Sequence, residues 1–138
     1  MKQLFKEIDF CTHGIDLYEF TIEAQNWINE INLNNGMLNI SILHTSASLL
    51  IQENADSDVL KDLKNFYNKL VPFNYKYIHN NEGEDDMPAH IKSSLTNSNL
   101  TLSVVNKRIL IGSWQGLFLF EHRYSKKKRK ILFHFIGE

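Results

Sequence analysis

What this sequence has little of limits what it can be. Its single cysteine, Cys11, excludes an internal disulfide and a cysteine-based zinc cluster, and suits a reducing, cytoplasmic setting. The two prolines and six glycines form no run, so no linker divides the chain. No stretch approaches the roughly 20 apolar residues of a membrane-spanning helix. The opening "MKQLFKEIDF" interleaves charges with apolar residues, unlike a signal peptide. Charge of one sign is also missing: a formal net charge of −1 gives no bulk attraction to nucleic acid or to an anionic membrane.

What is present is an ordinary globular composition, 43% hydrophobic and 22% charged over 138 residues, which predicts one domain spanning residues 1–138. Leu4, Ile8 and Phe10 share one parity and predict an opening strand. Phe20, Ala24, Trp27, Ile28 and Ile31 recur at helical spacing, with Asn34-Asn35-Gly36 placed to end the helix through residues that tolerate positive φ. Leu38, Ile40 and Ile42 alternate with polar residues as a half-buried strand, and Ala47, Leu49 and Ile51 continue as a second. Asp56 is placed to cap a helix whose apolar face is Val59, Leu63, Phe66, Tyr67 and Leu70, closed by Pro72.

Pro88 reads as the opening of a short helix, "PAHIKSSL", capped by Asp86 or Met87. Strands follow at "LTLSVV", "RILIGSW", "GLFLFEHRY" and "ILFHFI", the third apolar on both faces as a central strand is. The basic run Ser125–Lys130 reads as a solvated hairpin tip, and without interleaved aromatics it gives no signal for stacking on nucleic acid. Three short helices among mainly hairpin-linked strands make an α+β fold with an antiparallel or mixed sheet.

The chemistry concentrates in histidines and acids. His44 and His122 fall where apolar strand faces run out, and His79 and His90 bracket "NNEGEDDMPA". Imidazole is the commonest nitrogen ligand of transition metals, and three of them with an open position suit a catalytic zinc-type centre. Each histidine alone is more simply a locally satisfied residue; His90, beside several carboxylates, fits that description least. Negative charge at Glu84, Asp85 and Asp86 is favoured by the following helix start on purely structural grounds. Glu53 shares the buried parity of Leu49 and Ile51, so it needs an ion partner or a function. "HTSAS" sets hydroxyls beside a histidine without a nucleophile elbow. Lys92, Ser93 and Ser94 follow a helix start where phosphate oxygens could bind.

Together, "HTSASLLIQENAD", "HNNEGEDDMPAHIKSSL" and "LIGSWQGLFLFEHR" resemble the signature blocks of the YjbQ family, also called the secondary thiamine-phosphate synthase enzyme family, over nearly the whole chain. The resemblance implies a compact α+β fold with a β-sandwich-like core, a homotrimer, and a pocket of histidines and acids holding a divalent metal. Zn²⁺ is favoured by ligand type, with Mg²⁺ as the alternative. The family's recurrent polar residues fall on His44, Thr45, Ser46, Glu53, Asn54 and Asp56, on His79, Glu82, Gly83, Asp85, Asp86, His90 and Lys92, and on Trp114, Gln115, Gly116, Glu121, His122 and Arg123.

On that resemblance three of the four histidines His44, His79, His90 and His122 are the expected metal ligands, with Glu53, Asp85, His44 and His79 as catalytic groups. Thr45, Ser46, Asn54, Lys92, Gln115 and Arg123 are the expected contacts to a small phosphorylated metabolite. Three activities stay open: thiamine phosphate formation from a pyrimidine diphosphate and a thiazole phosphate, metal-dependent hydrolysis or elimination, and a trimeric ligand-binding module without turnover. The chain lacks the glycines usual before "TLSVV" and at Asn106-Lys107, which bears on loop geometry.

Overall fold

The computed structural model describes residues 1–138. Strand β1 (Lys2–His13) turns into β2 (Asp16–Glu19), followed by α1 (Thr21–Glu30), β3 (Gly36–Ile42) and β4 (Ala47–Glu53). Helices α2 (Ser57–Leu70) and α3 (Asp86–Leu95) come next, then β5 (Asn99–Val105), β6 (Arg108–Ile109), β7 (Gln115–Glu121) and β8 (Lys126–Gly137). Every ladder is antiparallel: five strands in the order β1-β8-β3-β5-β6, and three in the order β2-β7-β4.

Alternation in sequence becomes two inward faces. Leu38, Ile40, Ile42, Leu100, Leu102, Val104, Ile131, Phe133 and Phe135 from the large sheet meet Ala47, Leu49, Leu117 and Leu119 from the small one in a single core. Helix α1 adds Ala24, Trp27 and Ile28 to it. Because β7 is the middle strand, its other face is buried as well: Phe118 and Phe120 pack with Leu17 under Leu60 and Tyr67 of α2. Asp56 accepts the Asp58 amide at 2.9 Å and caps α2 as expected. No helix is long and apolar enough to cross a membrane.

Four expectations change. The basic run is not a hairpin tip: Lys126 to Lys130 are the first half of β8, paired with His13 to Asp9 of β1. Lys128 and Lys130 reach Asp9 and Glu7 at 3.4 and 3.2 Å on the outer face, while Arg129 points inward. The "RILIGSW" strand is paired only at Arg108–Ile109. Helix α3 starts at Asp86, so Pro88 lies inside the first turn, where its missing N–H costs nothing. Gly36 is required by close packing, not by positive φ: a Cβ there would collide with the Ile136 carbonyl of the neighbouring strand. The Asn106-Lys107 turn does use the left-handed region, at φ 51° and 61°, without glycine.

Candidate functional site

The chain crosses from one sheet to the other three times at the same end of the sandwich, first through Gly14–Ile15 between β1 and β2. Leu43–Ser46 carries β3 of the large sheet into β4 of the small one, and His122–Ser125 carries β7 back into β8. Ala47 and Glu121 are register partners, so the last two of these crossings lie side by side. The N-terminus of α3 and the acidic loop before it pack onto this end, where Arg123 gathers them.

Arg123 is a clamp. Its Nε donates to Asp85 Oδ2 at 2.9 Å, its Nη2 to the Glu82 carbonyl at 2.8 Å, and its Nη1 to Asp86 Oδ1. Asp85 Oδ2 also accepts the Tyr124 amide at 3.0 Å. Asp85 precedes the helix without capping it through its side chain, because the carboxylate is spent on Arg123 and Tyr124. Burial works to raise the Asp86 pKa, but the hydrogen bond from His79 and the charge of Arg123 outweigh it, and the carboxyl stays below its usual range.

The free edge of Asp86 faces two imidazoles. His79 Nε2 donates to Asp86 Oδ2 at 2.6 Å, and His90 Nε2, one helical turn on, lies 3.3 Å from the same oxygen. His90 Nδ1 lies 3.0 Å from the Thr45 carbonyl, an acceptor only, so Nδ1 carries the proton. In the neutral ring Nε2 is then a lone pair aimed at an ionised carboxylate. Two acceptors at that distance repel unless a proton or a cation lies between them.

The ligand atoms of His79, Asp86 and His90 all lie within 4.8 Å of one another. Two imidazole nitrogens and one carboxylate oxygen suit zinc or a similar transition ion, and suit magnesium less well. Asp85, Asp86 and Arg123 leave one net negative charge for a dication, and a histidine whose second nitrogen holds a backbone carbonyl is in the tautomer that a metal ligand needs. The residues present therefore fit such an ion.

His44 and His122 do not join this group. His44 Nε2 accepts the Lys130 amide at 2.8 Å, and burial with the nearby Arg129 charge lowers its pKa, so the ring is neutral with its proton on Nδ1. His122 is fully buried, its Nε2 2.9 Å from Ser48 Oγ, its Nδ1 without a hydrogen-bond partner. Burial first, then the charges of Lys92 and Arg129, push its pKa down to about 3. Lys92, expected at a phosphate, is fully buried with Nζ on Asn68 Oδ1 at 2.6 Å and above the Phe73 ring. Ser46 Oγ accepts from Arg129 at 3.0 Å.

Glu53, Asn54 and Gln115 lie at the other end of β4 and β7 from Ala47 and Glu121. Strand rise puts that separation at about 20 Å, so one chain brings them to no common pocket with His79 and His90. Asn54 Nδ2 bonds Glu19 Oε2 at 3.3 Å, Gln115 Oε1 accepts the Gly112 amide at 2.6 Å, and Glu53 Oε2 is buried without a partner. Sequence reasoning undervalued Asp86 as helix-start charge. The signal was its spacing: Asp86 and His90 are separated by one helical turn and share a face.

Comparison with known proteins agrees with this architecture. Residues 6–138 match the family model described as "UPF0047 protein YjbQ-like". The chain is 44% identical over 129 residues to a UPF0047 protein of Synechocystis sp., covering 93% of this chain and 88% of that one. It is 36% identical over 138 residues to a UPF0047 protein of Methanocaldococcus jannaschii, covering 100% and 97% of the two chains. Among solved structures, a yjbq/upf0047 family protein of Clostridium acetobutylicum superposes with a TM-score of 0.88 at 30% identity, covering 95% of this chain and 99% of that one. Sequence blocks, sandwich topology and these relatives converge: the chain belongs to the YjbQ/UPF0047 family.

Proposed function

We propose that this protein is a metal-dependent enzyme acting on a small phosphorylated metabolite by hydrolysis or elimination, with a zinc-type ion held by His79, Asp86 and His90. The observation that carries the reading is the convergence of His79, Asp86 and His90, whose ligand atoms lie within 4.8 Å of one another while His90 Nδ1 is tied to the Thr45 carbonyl at 3.0 Å. When bound, such an ion polarises a substrate oxygen or acidifies a water. The chain's own part is orientation: Thr45 fixes the His90 tautomer, Arg123 fixes the Asp86 plane, and Asp85 and the Glu82 carbonyl fix Arg123.

Thiamine phosphate formation enters this proposal as a side activity. Loss of pyrophosphate draws on cations and on Mg²⁺, whereas Lys92 is buried on Asn68 and Arg123 is committed to Asp85 and Asp86. A homotrimer is part of the same proposal, supported by Glu53 Oε2, whose missing partner a neighbouring subunit can supply. So is a reducing, cytoplasmic setting, supported by the exposed thiol of Cys11.

Metal analysis of the purified protein tests the reading. His90→Ala and Asp86→Asn should lose the ion, while His122→Gln retains it and turnover of phosphorylated metabolites follows metal content. Unchanged metal in the first two variants overturns the centre. Metal without turnover of any phosphorylated metabolite leaves a binding module. Growth of a thiamine auxotroph at native expression would promote the side activity to the main one.

A further inference from the structure

The two histidines of the metal group line chemically different pockets. His79 borders a cavity of about 460 Å³ whose walls include Phe73, Tyr75, Tyr77 and a cation, Lys76. His90 borders a smaller one of about 250 Å³ lined by His44, Thr45, His90, Ser93, Ser94 and Ser98, with no hydrophobic wall and no formally charged side chain.

Hydrogen-bond bookkeeping says what the smaller pocket can hold. His44 Nε2 is occupied by the Lys130 amide, which leaves Nδ1–H as a donor. The hydroxyls of Thr45 and Ser98 make no bond within the chain and are also free to donate. Ser93 and Ser94 already donate to the carbonyls of Ala47 and Ile91 at 3.0 and 2.7 Å, so toward a ligand they offer lone pairs only. The pocket therefore presents donors and acceptors together.

A fully ionised phosphate ester has acceptors alone and would face the lone pairs of Ser93 and Ser94 with no cationic side chain in the pocket to offset them. The nearby cations are all engaged: Lys92 with Asn68, Lys130 with Glu7, and Arg129 with Glu121. An alcohol, by contrast, both donates and accepts at each oxygen.

We infer that this pocket is a binding site for the neutral, polyhydroxylated part of a ligand, a sugar or polyol, seated against His90. The inference rests on the proposed function for its place in catalysis. It makes the substrate a phosphorylated sugar or polyol whose hydroxyls occupy the His90 side and whose phosphate lies toward Lys76.

The test uses the full-length, metal-loaded protein labelled with ¹⁵N, titrated separately with D-ribose and with inorganic phosphate. Ribose should shift the amides of Thr45, Ser93, Ser94 and Ser98, and phosphate should not. Thr45→Val and Ser98→Ala, which change shape little, should each weaken ribose binding about fivefold, the scale of one neutral hydrogen bond. Metal content in Ser98→Ala stays at the wild-type level. Phosphate shifting these amides in place of ribose overturns the inference, as does ribose binding that ignores both substitutions or no ribose binding at all. His79→Ala separates the two readings, because His79 lies outside this pocket: lost metal with retained ribose binding leaves both standing. Ribose binding to a wild-type protein that takes up no metal removes the centre and leaves the pocket.

Discussion

Arg129 and Arg123 each grip carboxylates at the end of the sandwich where the chain changes sheets, yet the Arg129 network is sealed and the Arg123 network is open. Glu121, fully buried, accepts from Thr12 Oγ1 at 2.5 Å, from Arg129 Nε and Nη2 at 2.7 and 2.5 Å, and from the amides of His122 and Arg123 at 3.0 and 3.1 Å. Both of its oxygens are saturated, and nothing is left over to bind a ligand. Asp86 is held just as firmly on its Oδ1 side by Arg123, but Oδ2 looks out past a half-exposed His79 to His90 Nε2. Similar residues thus serve two purposes, and the difference is whether the last lone pair has a partner.

The largest expected effect comes from breaking the sealed pair. Glu121→Gln or Arg129→Met alone leaves an uncompensated buried charge and should cost about 3–5 kcal/mol of unfolding free energy in denaturant titrations. Replacing both with apolar residues should recover most of it. Metal content should be unaffected by either. A loss below about 1 kcal/mol for Glu121→Gln would mean that water reaches this pair and that the contrast with Asp86 is not one of sealing.

A second test approaches the same seal through pH. Folded His122 has its pKa depressed from 6.5 to about 3, chiefly by burial and then by Lys92 and Arg129. The unfolded ring takes a proton below 6.5 that the folded ring refuses. This group therefore leaves stability untouched above pH 6.5 and removes it as pH falls, by roughly 3 kcal/mol on reaching about pH 4. His122→Gln should flatten that part of the stability profile. An unchanged slope would assign the acid sensitivity to carboxylates elsewhere.

How legible these networks were in the sequence follows from the range of the contacts involved. Local periodicity marked the strands well: Leu38, Ile40 and Ile42 alternate because one face is wet, and β7 is apolar on both faces because both are covered. The first half of β8 was hidden, since five successive cations, Lys126 to Lys130, give no apolar–polar contrast from which to read a period of two. The inward one, Arg129, is recognisable only by Glu121, which lies on another sheet. Glu53 reads as buried by its parity, whereas the structure leaves it half-buried with one enclosed, unpartnered oxygen, and its place at the far end of β4 separates it from the histidines. Asp86 and His90 were one helical turn apart on the page; that His79 meets them, and that His44 and His122 do not, depends on two crossings between sheets that no local pattern encodes.

On the open side, Asp85→Asn should act on the affinity of the proposed metal centre more than on stability. The variant keeps an acceptor for the Tyr124 amide but removes the charge that holds the Arg123 Nε, so the guanidinium and the Asp86 plane lose their reference. Partners that orient a metal ligand from behind typically matter by about 10–100-fold in affinity. Calorimetric titration with zinc reads that change directly. Wild-type affinity would show that Asp86 needs no help from its neighbour, and that the open network is simpler than the sealed one.

The smallest effect should come from the glycine that lets the acidic loop close over Arg123. Gly83 has φ +106°, a conformation that side chains rarely adopt, and a Cβ there would lie 3.0 Å from Asp85 Oδ1 and 3.7 Å from Arg123 Nη2. Gly83→Ala must therefore move either the backbone or the Asp85 carboxylate, and an exposed loop can absorb much of that strain, so the stability loss should be about 1 kcal/mol. Metal affinity should fall less than tenfold, because Asp86 keeps its own bond to Arg123. If Gly83→Ala instead matched Asp85→Asn in metal affinity, the loop backbone, through the Glu82 carbonyl on Arg123 Nη2, would hold the guanidinium as firmly as the Asp85 charge does.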